Sequence, residues 1–270
     1  MREPLVSSRL ARTALALFAT LGITVSAPAA GVLFPKPLHI VRRLEDPIAH
    51  RTSTVDEYCS GNRVVSINGR KVVITDYDLQ QITEIDHDRG TYSITRFEDV
   101  AKVQPKSAAK RSEWKTTPLG MKSSAAGRSI DAFTFETNAE GATHERRRVE
   151  VGVDRQVSLS REAVEVLVGA AYPSQPSEEH EQLLQAAKAR AGRMTTNGAQ
   201  SPAEYGLPSE TTLTYDSDRT HLTYRNSIVR IGDEAPPAEL LVIAPGAERI
   251  ESRLTRAARE MRELDFPTKP

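Results

Sequence analysis

Three Asp-x-Asp pairs stand out among the residues able to do chemistry: Asp76/Asp78, Asp86/Asp88 and Asp216/Asp218. Carboxylates two residues apart open a calcium loop, which then needs further oxygen ligands and a distal Glu. None of the three continues that way, and each falls where its neighbours predict a turn, in which Asp is favoured for its hydrogen bonds to nearby backbone. His39, His50, His87, His144, His180 and His221 are scattered, with no HExxH and no Cys/His spacing of the kind that holds zinc. No Gly-x-Ser-x-Gly elbow, P-loop or glycine-rich dinucleotide fingerprint is written in the chain. The expectation is a protein without catalytic residues, metal or cofactor. A hydrolase would have to gather carboxylates and His into one cleft from distant positions.

Two further features read as structural. Arg146-Arg147-Arg148 is a basic run, but on a strand consecutive side chains point to opposite faces, so the run is expected to split. Cys59 is the only cysteine, cannot form an intramolecular disulfide, and sits in the strand-like run TSTVDEYC without a flanking Lys or His to lower its pKa. It is expected to be a small buried hydrophobe. The 36 basic residues balance 36 acidic ones, which argues against a nucleic-acid partner.

The first 29 residues read as a cleavable secretory signal. Arg2, Arg9 and Arg12 precede the uncharged run Thr13 to Val25, which is too short to span a bilayer, and Ala27-Pro28-Ala29 supplies the small residues of a cleavage site. The mature chain is expected to start at Ala30, carry a net charge near −2, and work in the periplasm or outside the cell as one domain over 30–270, not spanning a membrane. No Cys follows the apolar run, so a lipoprotein anchor is not expected.

The elements that must position any site are mostly strands. His39 to Leu44, Thr52 to Cys59, Arg63 to Ile67, Lys71 to Asp76, Gln81 to Asp86 and Thr91 to Thr95 form a meander, with a type I′ turn predicted at Asn68-Gly69 and a Gly90-closed loop at 87–90. Thr95 and Glu98 have capping-box spacing, predicting a short helix from Arg96 toward Gln104, and 105–118 reads as a loop or crossover. Ser129 to Thr137 pairs with Thr143 to Val153. Helices are expected from Arg161 to Ala171, capped by Ser160, and from Glu178 to about Met194, capped by Ser177. Ser209 to Tyr215 and Thr220 to Ile231 make a third hairpin, and an amphipathic helix is expected at about 249–264. Strands in consecutive hairpins interrupted by two central helices predict an α+β fold, one curved antiparallel sheet packed on helices.

Short motifs give that fold a family. Tyr58, Asn62-Arg63, Ile74-Thr75-Asp76, Ile82, Ile85-Asp86 and Thr91-Tyr92-Ser93, then Gly206-Leu207-Pro208, Pro236-Pro237-Ala238-Glu239-Leu240-Leu241 and Pro245-Gly246-Ala247, resemble the strands and turns of periplasmic LolA/LolB-like lipoprotein carriers. The likeness covers roughly 38–100 and 205–250. It implies an incomplete antiparallel barrel wrapped over helices, with a concave apolar face that holds acyl chains. On this chain that face would be lined by Phe133, Phe135, Val149 and Val151 of the central hairpin and by Val164, Leu167 and Leu184 of the helices. The leading expectation is an exported, non-enzymatic protein that binds a lipid, a lipoprotein acyl chain or another apolar ligand. Its rival is an envelope protein-protein interaction module of the same fold with a filled core; an unfilled apolar pocket separates the two.

Overall fold

From Phe34 to Arg96 the chain runs back and forth as a ladder of strands, because each strand is followed at once by residues that turn it. A computed structural model describes residues 31–101, 113–137, 146–171, 177–188, 205–217, 220–252 and 255–256. The ladder comprises β1 (Phe34–Asp46), β2 (Arg51–Gly61), β3 (Arg63–Asn68), β4 (Lys71–Asp76), β5 (Gln81–Asp86) and β6 (Thr91–Arg96). Three four-residue loops share one chemistry. The Asp that ends the incoming strand turns Oδ1 onto backbone N–H groups two or three residues on: Asp46 to Ile48 and Ala49, Asp76 to Asp78 and Leu79, Asp86 to Arg89. The last residue of each loop is left-handed, His50 at φ 47°, Gln80 at 53° and Gly90 at 62°. This is what the first two Asp-x-Asp pairs do; Asp218 lies outside the described residues.

The turn between β3 and β4 differs from the expected one. Asn68 is the last ladder residue, paired with Lys71, so the two loop residues are Gly69 and Arg70. Gly69 has φ 61° and Asn68 is not left-handed, which is the type II′ pattern, Gly at the first central position, rather than type I′ over Asn68-Gly69. Thr95 also departs from expectation. It belongs to β6, its Oγ1 is buried without a hydrogen-bond partner, and the helix that follows, α1 (Phe97–Ala101), forms without a Thr95 cap. The expected extension to Gln104 lies outside the described residues.

The remaining strands are β7 (Trp114–Ser123), β8 (Ser129–Thr137), β9 (Arg146–Leu159), β10 (Tyr205–Ser217), β11 (Thr220–Gly232) and the two-residue β12 (Glu248–Arg249). All belong to one open sheet in the order β12-β6-β5-β4-β3-β2-β1-β11-β10-β9-β8-β7, antiparallel throughout except where β12 runs parallel to β6. Residues 114–118, expected in a loop, are strand because they pair with β8, Trp114 opposite Thr137 through Pro118 opposite Phe133. Non-local pairing overrides their loop-like composition. The helix expected at about 249–264 does not begin there: Glu248 and Arg249 pair with β6, and Ile250 donates its N–H to the Tyr92 carbonyl. Helical backbone is described only at 255–256, where the Ser252 hydroxyl accepts the Thr255 N–H, and the rest of the expected helix lies outside the described residues, as does the signal segment.

Two helices lie on one sheet face, α2 (Arg161–Ala171) and α3 (Ser177–Ala187). Ser160 caps α2 as expected, its Oγ accepting the Ala163 N–H at 3.1 Å. Ala163 and Leu167 of α2 pack with Ile40, Cys59, Val64, Ile82 and Ile228, while Val164 and Val168 pack with Phe135, Val149, Val151, Leu183 and Leu213. One helix therefore joins two apolar clusters, each such side chain contributing about 1.5–3 kcal/mol by leaving water. A third cluster, Val65, Ile67, Val72, Ile74 and Ile85, is on the opposite face, since consecutive strand residues such as Val64 and Val65 point opposite ways. It is covered by a strap. After β11 the chain crosses that face, packs Leu240 and Leu241 of a 3-10 turn on the cluster, and ends as β12 on the edge of β6.

Candidate functional site

α3 is fastened to the sheet by two arginines of β9. Near its start, Arg147 donates from Nη1 to Glu179 Oε1 at 2.8 Å and from Nη2 to Glu178 Oε2 at 2.9 Å, with its guanidinium 5.4 Å from the centre of the Trp114 ring. At the other end, Arg155 donates to the carbonyls of Ala187 at 2.6 Å and Ala186 at 2.8 Å, taking acceptors that a helix C-terminus leaves open. The helix stops there. Lys188 makes an isolated bridge to Tyr205, and the rest of the expected continuation toward Met194 lies outside the described residues.

The basic run splits as expected. Arg147 turns inward to α3, while Arg146 and Arg148 pair with Glu136 on the other side of the strand, Arg148 also with Glu150. Burial, more than any partner, sets the titration of the neighbouring groups. It raises the Glu179 carboxyl above the usual carboxylate range against the pull of its own backbone N–H and of Arg147, and it lowers the His180 imidazole. The Tyr215 hydroxyl is pushed up by burial and by Glu179.

Where α3 passes β7 and β8 it leaves a groove of about 520 Å³. Pro118 and Met121 of β7 and Phe133 and Phe135 of β8 supply its apolar wall, and Gln185, Ala186 and Lys188 of α3 and its end supply the other side. Asp131 and Arg155 also line it, bonded to each other at 3.2 Å. The volume falls within the range of small-molecule clefts. The edge strand supplies the opening: from Lys115 to Ser123 every residue of β7 is exposed, Met121 to 75 %.

The residues expected to line a ligand face are divided by this arrangement. Phe135, Val149, Val151 and Val164 are packed in one cluster and Leu167 in the other, none more than 1 % exposed. Phe133 and Leu184 are half-buried at the cluster margin. Phe133 and Phe135 border the groove; Val149, Val151, Val164, Leu167 and Leu184 are not among its lining.

Two buried polar arrangements had no signal in residue spacing. His39, 1 % exposed, turns both ring nitrogens to carboxylates, Nδ1 to Glu234 Oε2 and Nε2 to Asp56 Oδ1, each at 2.9 Å, and stacks on Tyr58 with ring centres 4.1 Å apart. It ties the root of the strap to β1 and β2. On the other face Arg42 donates from Nε to Glu57 Oε2 at 2.5 Å, both side chains buried. Cys59 is buried as expected, and burial holds its thiol well above the usual range, first by desolvation and then by Glu57. Among the described residues no three His, Cys, Asp or Glu side chains are grouped to hold a metal ion, and no helix is long and apolar enough to cross a membrane.

No family model and no curated protein matches the chain. Solved structures similar to it include PNGF-II in its C2 and P21 space groups, at 7 % and 9 % identity with TM-scores of 0.35 and 0.36. These alignments cover 83 % and 84 % of this chain but about a third of PNGF-II, 32 % and 33 %.

Proposed function

We propose that this chain is an exported, non-enzymatic binding protein of the LolA/LolB-like kind, which holds an apolar or acyl-chain ligand in the groove between β7, β8 and α3. On this reading the open sheet is an incomplete barrel curved around α2 and α3. The supporting observation is where apolar surface stays accessible. The interior between sheet and helices is closed by Phe135, Val149, Val151, Val164 and Leu167, whereas half-buried Phe133 and exposed Met121 face a 520 Å³ groove. Saturable binding of a fluorescent fatty-acid probe, weakened by Phe133→Ala more than the loss of melting temperature accounts for, is the expected result; a wild-type protein that binds no such probe ends this reading.

The same closed interior favours a second reading, an envelope interaction module that uses its surface alone. Native mass spectrometry of protein taken from the periplasm separates the two, since co-purified lipid is expected only for the first. Export itself is tested by N-terminal sequencing, for which the expected first residue is Ala30. Recovery of Met1 on exported protein excludes cleavage of the signal.

A further inference from the structure

The charges around the groove go further than its apolar floor. Asp131 and Arg155 neutralise each other at 3.2 Å, and each terminal nitrogen of Arg155 donates one N–H to a helix carbonyl, Nη1 to Ala187 and Nη2 to Ala186. Lys188, exposed at the end of α3, has no ion-pair partner among the described residues. Among the described residues the lining therefore carries one positive charge without a carboxylate partner, on the residue that follows the last turn of the helix forming one side. The opposite wall, Pro118, Met121, Phe133 and Phe135, offers carbon and sulfur.

Resting on the groove reading above, we infer that the ligand is a single-chain amphiphile with an anionic head, its tail along Phe133 and Met121 and its carboxylate or phosphate at Lys188. A cationic head would meet Lys188 as a like charge, and a neutral head would leave its charge unanswered. Because the ammonium is exposed to water, the attraction is that of a surface pair, up to about 1 kcal/mol, or roughly fivefold in affinity. It is screened by salt.

The test uses the full exported chain and three probes of equal tail length, a fatty acid, the corresponding alcohol and the corresponding alkyltrimethylammonium, each below its micelle concentration. The acid is expected to bind about fivefold tighter than the alcohol at low salt, with the preference fading as salt rises. Lys188→Gln should remove that preference, bringing the affinity for the acid down to that for the alcohol, and Lys188→Glu should turn it toward the cationic probe. Equal affinity for acid and alcohol, or a Lys188→Gln variant weakened equally for both, overturns the head-group assignment while the groove stands. Failure of all three probes to bind overturns the groove with it.

Discussion

The six-strand ladder β1 to β6 and the helix-bearing part β7 to β10 solve the same problem by opposite means. In the ladder each register is set by the few residues that join two strands, an Asp folding its carboxylate back on the turn or a glycine at positive φ. In the other part the arrangement depends on partners far apart in sequence. Arg147 and Arg155 reach about thirty residues ahead to hold α3, and β7 is a strand only because β8 accepts it. Order imposed locally withstands the loss of one side chain, whereas order imposed by a few long reaches fails at each of them.

The largest effect that would break this contrast lies in the helix-bearing part. Phe135→Ala removes a ring that is 1 % exposed within the second cluster, and should cost about 3–5 kcal/mol in urea unfolding. A loss under about 1 kcal/mol would mean that the cluster collapses around the gap. Arg147→Ala leaves Glu179 buried without its cation and should cost about 2–3 kcal/mol. By contrast Arg63→Ala, which loses an exposed pair to Asp76 in the ladder, should cost no more than about 0.5 kcal/mol. Equal costs for the two arginines would erase the distinction.

Within the ladder the vulnerable points are turns. Gly69→Val would meet no atom within 4 Å of its new Cβ, so the expected loss of about 1 kcal/mol or more comes from the left-handed backbone alone. Gly69→Asn, whose side chain tolerates that conformation, should recover most of it.

The smallest effects concern pH and sit on adjacent residues of α3. His180 has a lowered folded pKa, so its contribution is present above the unfolded value of 6.5 and is lost as pH falls from there toward the folded value. Glu179 has a raised one, so its contribution is full below the unfolded 4.5 and is lost as pH rises through the folded value. Acidification from neutrality should first weaken and then partly restore the docking of α3. His180→Gln should flatten the fall in melting temperature just below pH 6.5, and Glu179→Gln should be neutral or stabilising at pH 7. A profile unchanged in both variants would show that neither group titrates while buried.

These differences explain what could be read beforehand. β4 and β5 have the bounds expected from their residues, and the loops after Asp76 and Asp86 were marked by Asp and Gly, because the interactions that make them span four residues. The end of α3 was not legible, since nothing near Ala187 signals a cap; the guanidinium that takes its last carbonyls comes from Arg155. Phe133 and Phe135 were recognisable from the alternation of β8. Whether they faced a ligand or a packed neighbour depended on where α3 would cross them, which no spacing within β8 encodes. His39 was one of six scattered histidines until Asp56 and Glu234 arrived from two other elements.

The strap has a consequence for the order of assembly. Its ties to the ladder join residues far apart, His39 to Glu234 at a separation of 195 and His87 to the Leu240 carbonyl at 153, whereas the ladder closes through neighbouring hairpins. Loops that long close late. A refolding chain should therefore complete its first six strands while Val65, Ile67, Val72, Ile74 and Ile85 still face water, and in that interval two chains can meet through the uncovered face. Refolding yield should fall as protein concentration rises, and a synthetic peptide of residues 233–250 added in trans should raise it by covering that face before a second chain does.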